Sequence, residues 1–116
     1  MSAVLKLAAT KAGWDKPLPP GVHRGIALDE FDGTPVAMVA EVSVSPKGDV
    51  RVHRVTAAVD CGTVINPKIV EAQIRGGIAF GLTATLKRAI TFKDGSAEQS
   101  NFHDFPLLRM NEMPEV

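Results

Sequence analysis

Three successive stretches alternate apolar and polar residues, and then the pattern changes to a helical spacing. Residues 35 to 45 alternate most strictly: Val36, Met38, Ala40, Val42 and Val44 fall on one side, and Ala37, Val39, Glu41, Ser43 and Ser45 on the other. That period of two predicts a strand with its valine-rich side buried and its other side turning polar toward the end. Residues 22 to 31 read as the preceding strand, with Val22, Ile26 and Leu28 opposite Gly25 and Ala27, and Asp32-Gly33 supplies the turn between them. Pro46-Lys47-Gly48-Asp49 closes a second hairpin, since proline suits the first turn position and glycine the left-handed one. The third strand has a fault in its parity. Val50 and Val52 share one side, whereas Val55, Ala57 and Val59 require the other, so one extra residue near His53 or Arg54 must form a β-bulge.

From 67 to 87 the spacing becomes that of a helix, with Ile74, Ile78, Leu82 and Leu86 as the apolar stripe. Asn66 is placed to cap it, and Pro67 suits its first position because the missing N–H would have no partner there. A shorter helix is predicted over Ala3 to Ala12, stopped by Gly13, and the prolines at 17, 19 and 20 make 15 to 21 an extended connector. After the long helix come a short strand at 89 to 92, an Asp94-Gly95 turn, a weaker strand near 97 to 101, and an irregular segment interrupted by Phe105-Pro106 and Met113-Pro114. The fold class is therefore α+β: a three-stranded antiparallel meander, one long helix and a short N-terminal helix. The sheet carries more apolar surface than these helices cover, which predicts an exposed apolar patch.

The chain of 116 residues, 45% hydrophobic, allows one small globular unit, residues 1–116 together, with no internal repeat. Thirteen basic and thirteen acidic side chains cancel without forming blocks, which disfavours nucleic acid and anionic membranes as partners. Met1 to Leu7 lacks the basic and apolar parts of a signal peptide, and no apolar run approaches the roughly 20 residues that span a bilayer. One cysteine excludes an internal disulfide and a cysteine-held iron-sulfur cluster, which needs about four thiolates.

Candidate chemistry concentrates in the long helix. Gly76, Gly77 and Gly81 lie inside it, each costing roughly 1 kcal/mol relative to alanine. Gln73, Gly77 and Gly81 follow one another at four-residue steps, with Ala84 close to the same stripe, so one face is nearly bare backbone plus one carboxamide. Such a face admits a flat ligand or another backbone, and the amide offers a donor and an acceptor in one plane. Packing of this helix on a sheet is the alternative use of the same residues.

Asp60-Cys61-Gly62, Ile65-Asn66-Pro67 and Gln73-Ile74-Arg75-Gly76-Gly77-x-x-x-Gly81, together with Ala12-Gly13-Trp14, Pro17-Leu18-Pro19, Arg24-Gly25-Ile26-Ala27, Val39-Ala40-Glu41-Val42-Ser43-Val44 and Leu107-Leu108-Arg109-Met110, resemble the molybdenum-binding large subunit of the xanthine dehydrogenase and aldehyde oxidase family. Within it the likeness is to the type of the isoquinoline 1-oxidoreductase beta subunit. Members are several times longer, so the resemblance implies a fragment from the latter part of such a subunit, part of a larger molybdenum-binding domain and inactive alone. It implies a molybdopterin cofactor, in its cytosine dinucleotide form, and oxidation of an aldehyde or N-heterocycle with water as the oxygen source. It further implies iron-sulfur clusters on a small partner subunit, and the remainder of the large subunit as the other partner. Bacterial cytoplasm and periplasm are both compatible with it. The family's catalytic base, a glutamate in a Gly-Val-Gly-Glu-like motif, belongs after the matched segment; Glu112 and Glu115 stand in no such context, so no catalytic residue is assigned. Gln73 matches the glutamine whose amide contacts the cofactor's polar periphery, and Gly76 and Gly77 make room for it.

Other chemistries find little support. Cys61 reads as a small buried residue at a strand end, and Asp60 as a partner of nearby backbone. His23, His53 and His103 lack ligand spacing, so no metal site is assigned. The glycine run lacks the Gly-Lys-Ser/Thr ending of a phosphate loop. A non-catalytic protein-binding or assembly module, packing its glycine-rich helix face on a partner, is the reading of a different class.

Overall fold

A computed structural model describes residues 2–116, which fall into two compact units: residues 2–67 with 114–116, and residues 68–113. The first holds helix α1 (Ser2–Ala12) and a sheet of strands β1 (Val22–Phe31), β2 (Thr34–Val44) and β3 (Val50–Val59) in the order β1-β2-β3. The second holds nearly all of helix α2 (Pro67–Leu86), a hairpin of β4 (Phe92–Lys93) and β5 (Ser96–Ala97), and a 3-10 turn at Met110–Glu112. The α+β class, the antiparallel meander and both helices are as the residue pattern requires.

The meander follows local chemistry closely. Asp32 and Gly33 both have positive φ, 51° and 75°, which makes the two-residue turn whose twist matches the flanking strands. In the second hairpin Gly48 takes φ 91°, and the Ser45 hydroxyl accepts the Lys47 and Asp49 amides at 3.3 and 3.1 Å. Register between β2 and β3 shifts between Glu41 and Val42: Glu41 faces Arg54 but Val42 faces Val52, leaving His53 as the extra residue. The parity fault in the sequence is this bulge.

Small residues let α1 come close to the sheet. Val4, Ala8 and Ala12, at four-residue steps, pack on Ala37, Val39 and Ala58, with Ile26 and Leu28 beside them. This corrects the expected side of β2. The more deeply buried face carries Ala37, Val39 and Glu41, while Val36, Met38, Ala40 and Val42 are half-buried. Side-chain size decides it, because alanines on both partners permit an approach that the bulkier valines and Met38 would block. Leu7, apolar but off this stripe, is half exposed.

Glu41 is the charged residue on this covered face, and two arginines answer it. Arg24 reaches Glu41 Oε1 at 2.9 Å from β1, and Arg54 reaches it at 2.7 Å from β3. Hydrogen bonds from Arg54, reinforced by those from Arg24, hold the Glu41 carboxyl below the usual carboxylate range, and Glu41 in turn raises Arg54. The arginines also donate to backbone carbonyls at the end of α1: Arg24 to Gly13 and Trp14 at 2.7 and 2.8 Å, Arg54 to Ala12 at 3.2 Å. Gly13, at φ 65°, ends the helix with the Trp14 amide on Ala9 O and the Gly13 amide on Thr10 O, a Schellman arrangement. Cations at a helix C-terminus oppose its partial negative charge, so the triad fastens α1 to the sheet.

At the far end of the sequence, Pro114–Val116 lies beside β3. The Val55 amide donates to Glu115 O at 2.8 Å and the Glu115 amide to His53 O at 3.1 Å, a parallel rung at Arg54 and Glu115.

In the second unit the expected strands at 89 to 92 and 97 to 101 contract to two residues each. Asp94 and Gly95, at φ 50° and 80°, make a tight turn that pairs Phe92 with Ala97. Beyond that pair the Gln99 carboxamide takes over, bonding the Thr91 amide and hydroxyl at 2.9 and 3.0 Å.

Candidate functional site

Helix α2 starts at Pro67, after a loop in which Gly62 takes φ 72° and its amide bonds Asp60 Oδ1 at 3.3 Å. Asp60 thus serves nearby backbone, as its place before Gly62 suggests. Cys61 is exposed, which corrects its expected burial: the loop carries it outward before the helix begins. Glu71 and Arg75 pair at 2.8 Å on the solvated side of α2, a contact worth a few tenths of a kcal/mol.

The inner side of α2 is defined by Ile78 and Thr83, the two buried residues of the helix. Thr83 Oγ1 donates to Ala79 O at 2.7 Å and accepts the Leu108 amide at 3.1 Å, which ties the segment after β5 to the helix. Lys87 and Glu112 pair as well, and that bond, with the Arg109 amide, holds the Glu112 carboxyl below its ordinary range. Nearby, the Asn101 and Ser100 amides do the same for Asp104 in the loop it closes.

Gln73, Gly76, Gly77 and Gly81 are exposed. A Cβ added at Gly76, Gly77 or Gly81 would meet no atom within 4 Å among the described residues. Among those residues, too, the Gln73 carboxamide forms no hydrogen bond. The helix thus tolerates three glycines although no group of its own unit packs over their missing side chains, and their combined cost, roughly 3 kcal/mol of helix propensity, goes uncompensated there.

The far end of this face is marked by residues that spacing alone does not reveal. Phe80, four residues after Gly76 and three after Gly77, is 64% exposed. The Arg88 guanidinium lies between its ring and that of Phe105, 4.7 and 4.5 Å from the two centroids. Phe105 is seventeen positions from Arg88, so no local periodicity could announce this stack. The Arg88 Nε is shut away from solvent without an acceptor among the described residues, a donor that an additional group would satisfy. Phe105 also lines a cleft of about 360 Å³ with Ile90, Ala97, Gln99, Ser100, Asn101 and Phe102, to which Gln73 does not contribute.

Among the described residues no group of three or more His, Cys, Asp and Glu could hold a metal ion, and no helix is long and apolar enough to cross a membrane. His53 instead meets the Ser43 hydroxyl at 2.7 Å, and His103 approaches Asp104 at 3.5 Å. Exposed large apolar residues recur in both units, among them Phe31, Ile65, Phe92, Phe102 and Met110, and of these five Phe31 alone lies on the three-stranded sheet.

The face thus has room where side chains are missing and an exposed carboxamide beside it, with the stack of Phe80, Arg88 and Phe105 further along the helix. Comparison with known proteins gives the family. Residues 23–114 match the family described as the molybdopterin cofactor-binding domain. The chain is 35% identical over 119 residues to the beta subunit of isoquinoline 1-oxidoreductase from Brevundimonas diminuta, an alignment covering 99% of this chain and 15% of that protein. It is 31% identical to the nicotine 6-hydroxylase large subunit of Paenarthrobacter nicotinovorans, over 87% of this chain and 13% of that one. With a nicotinate dehydrogenase subunit of Pseudomonas putida the identity is 30%, over 74% and 7%. The chain spans about one seventh of the first of these relatives or less. The chain belongs to the molybdopterin cofactor-binding family of the xanthine dehydrogenase and aldehyde oxidase type.

Proposed function

We propose that this chain is the part of a molybdenum hydroxylase large subunit that holds the edge of a molybdopterin, in its cytosine dinucleotide form, against the glycine face of α2. Bound there, the cofactor would supply the redox chemistry that oxidises an aldehyde or an N-heterocycle with water as the source of oxygen. The contribution of this chain is binding and orientation. Gln73 presents a donor and an acceptor to the polar periphery of the pterin, Gly76 and Gly77 let its plane approach the helix backbone, and Thr83 and Lys87 keep the helix fixed to its own unit. No catalytic residue is assigned here, so the chain is inactive alone and depends on the rest of the large subunit and on a small iron-sulfur subunit. The names of the similar proteins include isoquinoline, nicotine and nicotinate enzymes and also an aldehyde dehydrogenase, so both substrate classes stay in the proposal, with N-heterocycles the more frequent.

The observation that supports this reading is the exposed Gln73 carboxamide beside glycines at which an added Cβ would meet no atom within 4 Å among the described residues. In the full-length subunit, Gln73→Ala should lower the molybdenum-to-protein ratio about tenfold, as expected for one lost hydrogen-bonding group. Turnover per molybdenum should change less. Wild-type molybdenum content and turnover in that variant would refute the assignment and favour a protein-packing role for the same face.

A further inference from the structure

Strand β3 has two edges with different fates. Along the inner edge it pairs with β2, and the Asp60 amide bonding Pro35 O at 3.1 Å sets the alternation: residues 54, 56 and 58 direct their backbone groups to β2. Residues 53, 55, 57 and 59 therefore direct theirs outward. Of these, His53 O and the Val55 amide are taken by Glu115, at 3.1 and 2.8 Å. The next groups in line are the Val55 carbonyl, both backbone groups of Ala57 and the Val59 amide. Among the described residues these have no backbone partner.

The side chains along that half of the strand give no protection against pairing. Val55-Thr56-Ala57-Ala58-Val59 contains no charge and no proline, and Val55 and Ala58 are buried. Open edges in stable proteins are normally blunted by charged residues, proline or a bulge. The other edge of the same sheet, β1, carries Arg24, Asp29 and Glu30, and the first half of β3 carries Arg51, the bulge at His53 and Arg54. The unguarded stretch begins where the Glu115 rung stops.

We propose that the outer edge of β3 from Val55 to Val59 takes a fourth strand, an extended segment of the same large-subunit polypeptide running parallel to β3 in line with Pro114–Val116. Direction and register are fixed by the rung already present: in a parallel ladder the partner's next amide meets the Val55 carbonyl and its carbonyl meets the Ala57 amide. Backbone pairing supplies the affinity, and the alternating Val55, Ala57 and Val59 side chains supply an apolar flank. The proposal rests on the reading of this chain as part of a longer subunit.

Residue-resolved amide hydrogen exchange on the purified full-length subunit tests it. The Ala57 and Val59 amides should exchange within about tenfold of Val55, because all three would open in one cooperative unit. Exchange at Ala57 and Val59 as fast as in an unstructured peptide would overturn the proposal. So would protection that appears only as protein concentration rises, since that assigns the edge to a second copy. Ala57→Pro leaves the bonds of residues 56 and 58 to β2 intact and removes one outward donor, so protection at Val59 should be lost, whereas Ala57→Val should retain it. Unchanged protection at Val59 in the proline variant would also overturn the proposal. Molybdenum content measured on the same samples separates the two readings. A metal-free subunit with slow Ala57 and Val59 amides would refute the cofactor role and leave the added strand standing, and a loaded subunit with fast amides would do the reverse.

Discussion

Residues without bulk serve opposite ends in the two units. In residues 2–67 the alanines at 8, 12, 37 and 58 are buried, and their smallness is consumed in bringing α1 onto the sheet. In residues 68–113 the glycines at 76, 77 and 81 face open space within their unit. The first unit also neutralises its buried charge internally, with two guanidiniums on one carboxylate. In the second, by contrast, the Arg88 Nε is shut away from solvent with no acceptor among the described residues, and the Gln73 carboxamide is exposed. Small residues that are covered make a scaffold, and small residues that are uncovered make a surface. The first unit fills its own interior, whereas the second leaves one face of its helix uncovered, the face on which the proposed cofactor contact rests.

The largest effect should come from breaking the scaffold at Glu41. Glu41→Ala leaves two arginines facing each other on a covered face, and the loss should be about 3 kcal/mol, the low end for a broken buried pair because Arg54 is partly exposed. Urea unfolding followed by the fluorescence of Trp14, the single tryptophan, reads it. Val39→Ala should cost about 2 kcal/mol through the same assay, since Val39 is only 1% exposed and the sheet cannot close on the gap.

Acid should expose the same triad. The folded-state pKa of Glu41 is depressed, so its stabilisation is complete above the unfolded value near 4.5 and is lost as pH falls through the folded one. Unfolding midpoints of the wild type should therefore converge on those of Glu41→Gln as pH drops below about 4.5. A constant gap between them would dismiss the triad as a source of stability.

The smallest stability effect should have the opposite sign. Gly81→Ala in α2 adds a Cβ that meets nothing, so helix propensity alone should stabilise the second unit by up to about 1 kcal/mol. The same change at Gly13 should destabilise by about 1 kcal/mol, because φ 65° disfavours any side chain and the new Cβ would stand 3.1 Å from Lys16 Cδ. Thermal melts of the two variants check the pair, and a destabilised Gly81→Ala would mean that the bare face is already in use for packing.

Local chemistry was legible in the sequence wherever a residue's own backbone preference or parity decided the outcome. Asp32-Gly33, Gly13 and Pro67 each fix one backbone conformation, and the mismatch between Val52 and Val55 reports the bulge at His53 directly. What escaped was set by partners distant in sequence. Glu41 reads as solvent-facing until Arg24 and Arg54 are placed beside it, and so parity alone assigns burial to the valine-rich side of β2. Likewise, the stack of Phe80, Arg88 and Phe105 joins the helix to a loop whose path no period describes. At the candidate site, spacing alone put Gln73, Gly77 and Gly81 on one face, but only coordinates could show that no atom of the unit covers the glycines.

The claim that this uncovered face receives the pterin is tested most directly by filling it. Gly77→Leu in the full-length subunit keeps a good helix former at that position while occupying the space above the backbone. The molybdenum-to-protein ratio should fall about tenfold or more, with helical circular dichroism unchanged. A ratio equal to the wild type, with the leucine in place and the helix intact, would contradict it.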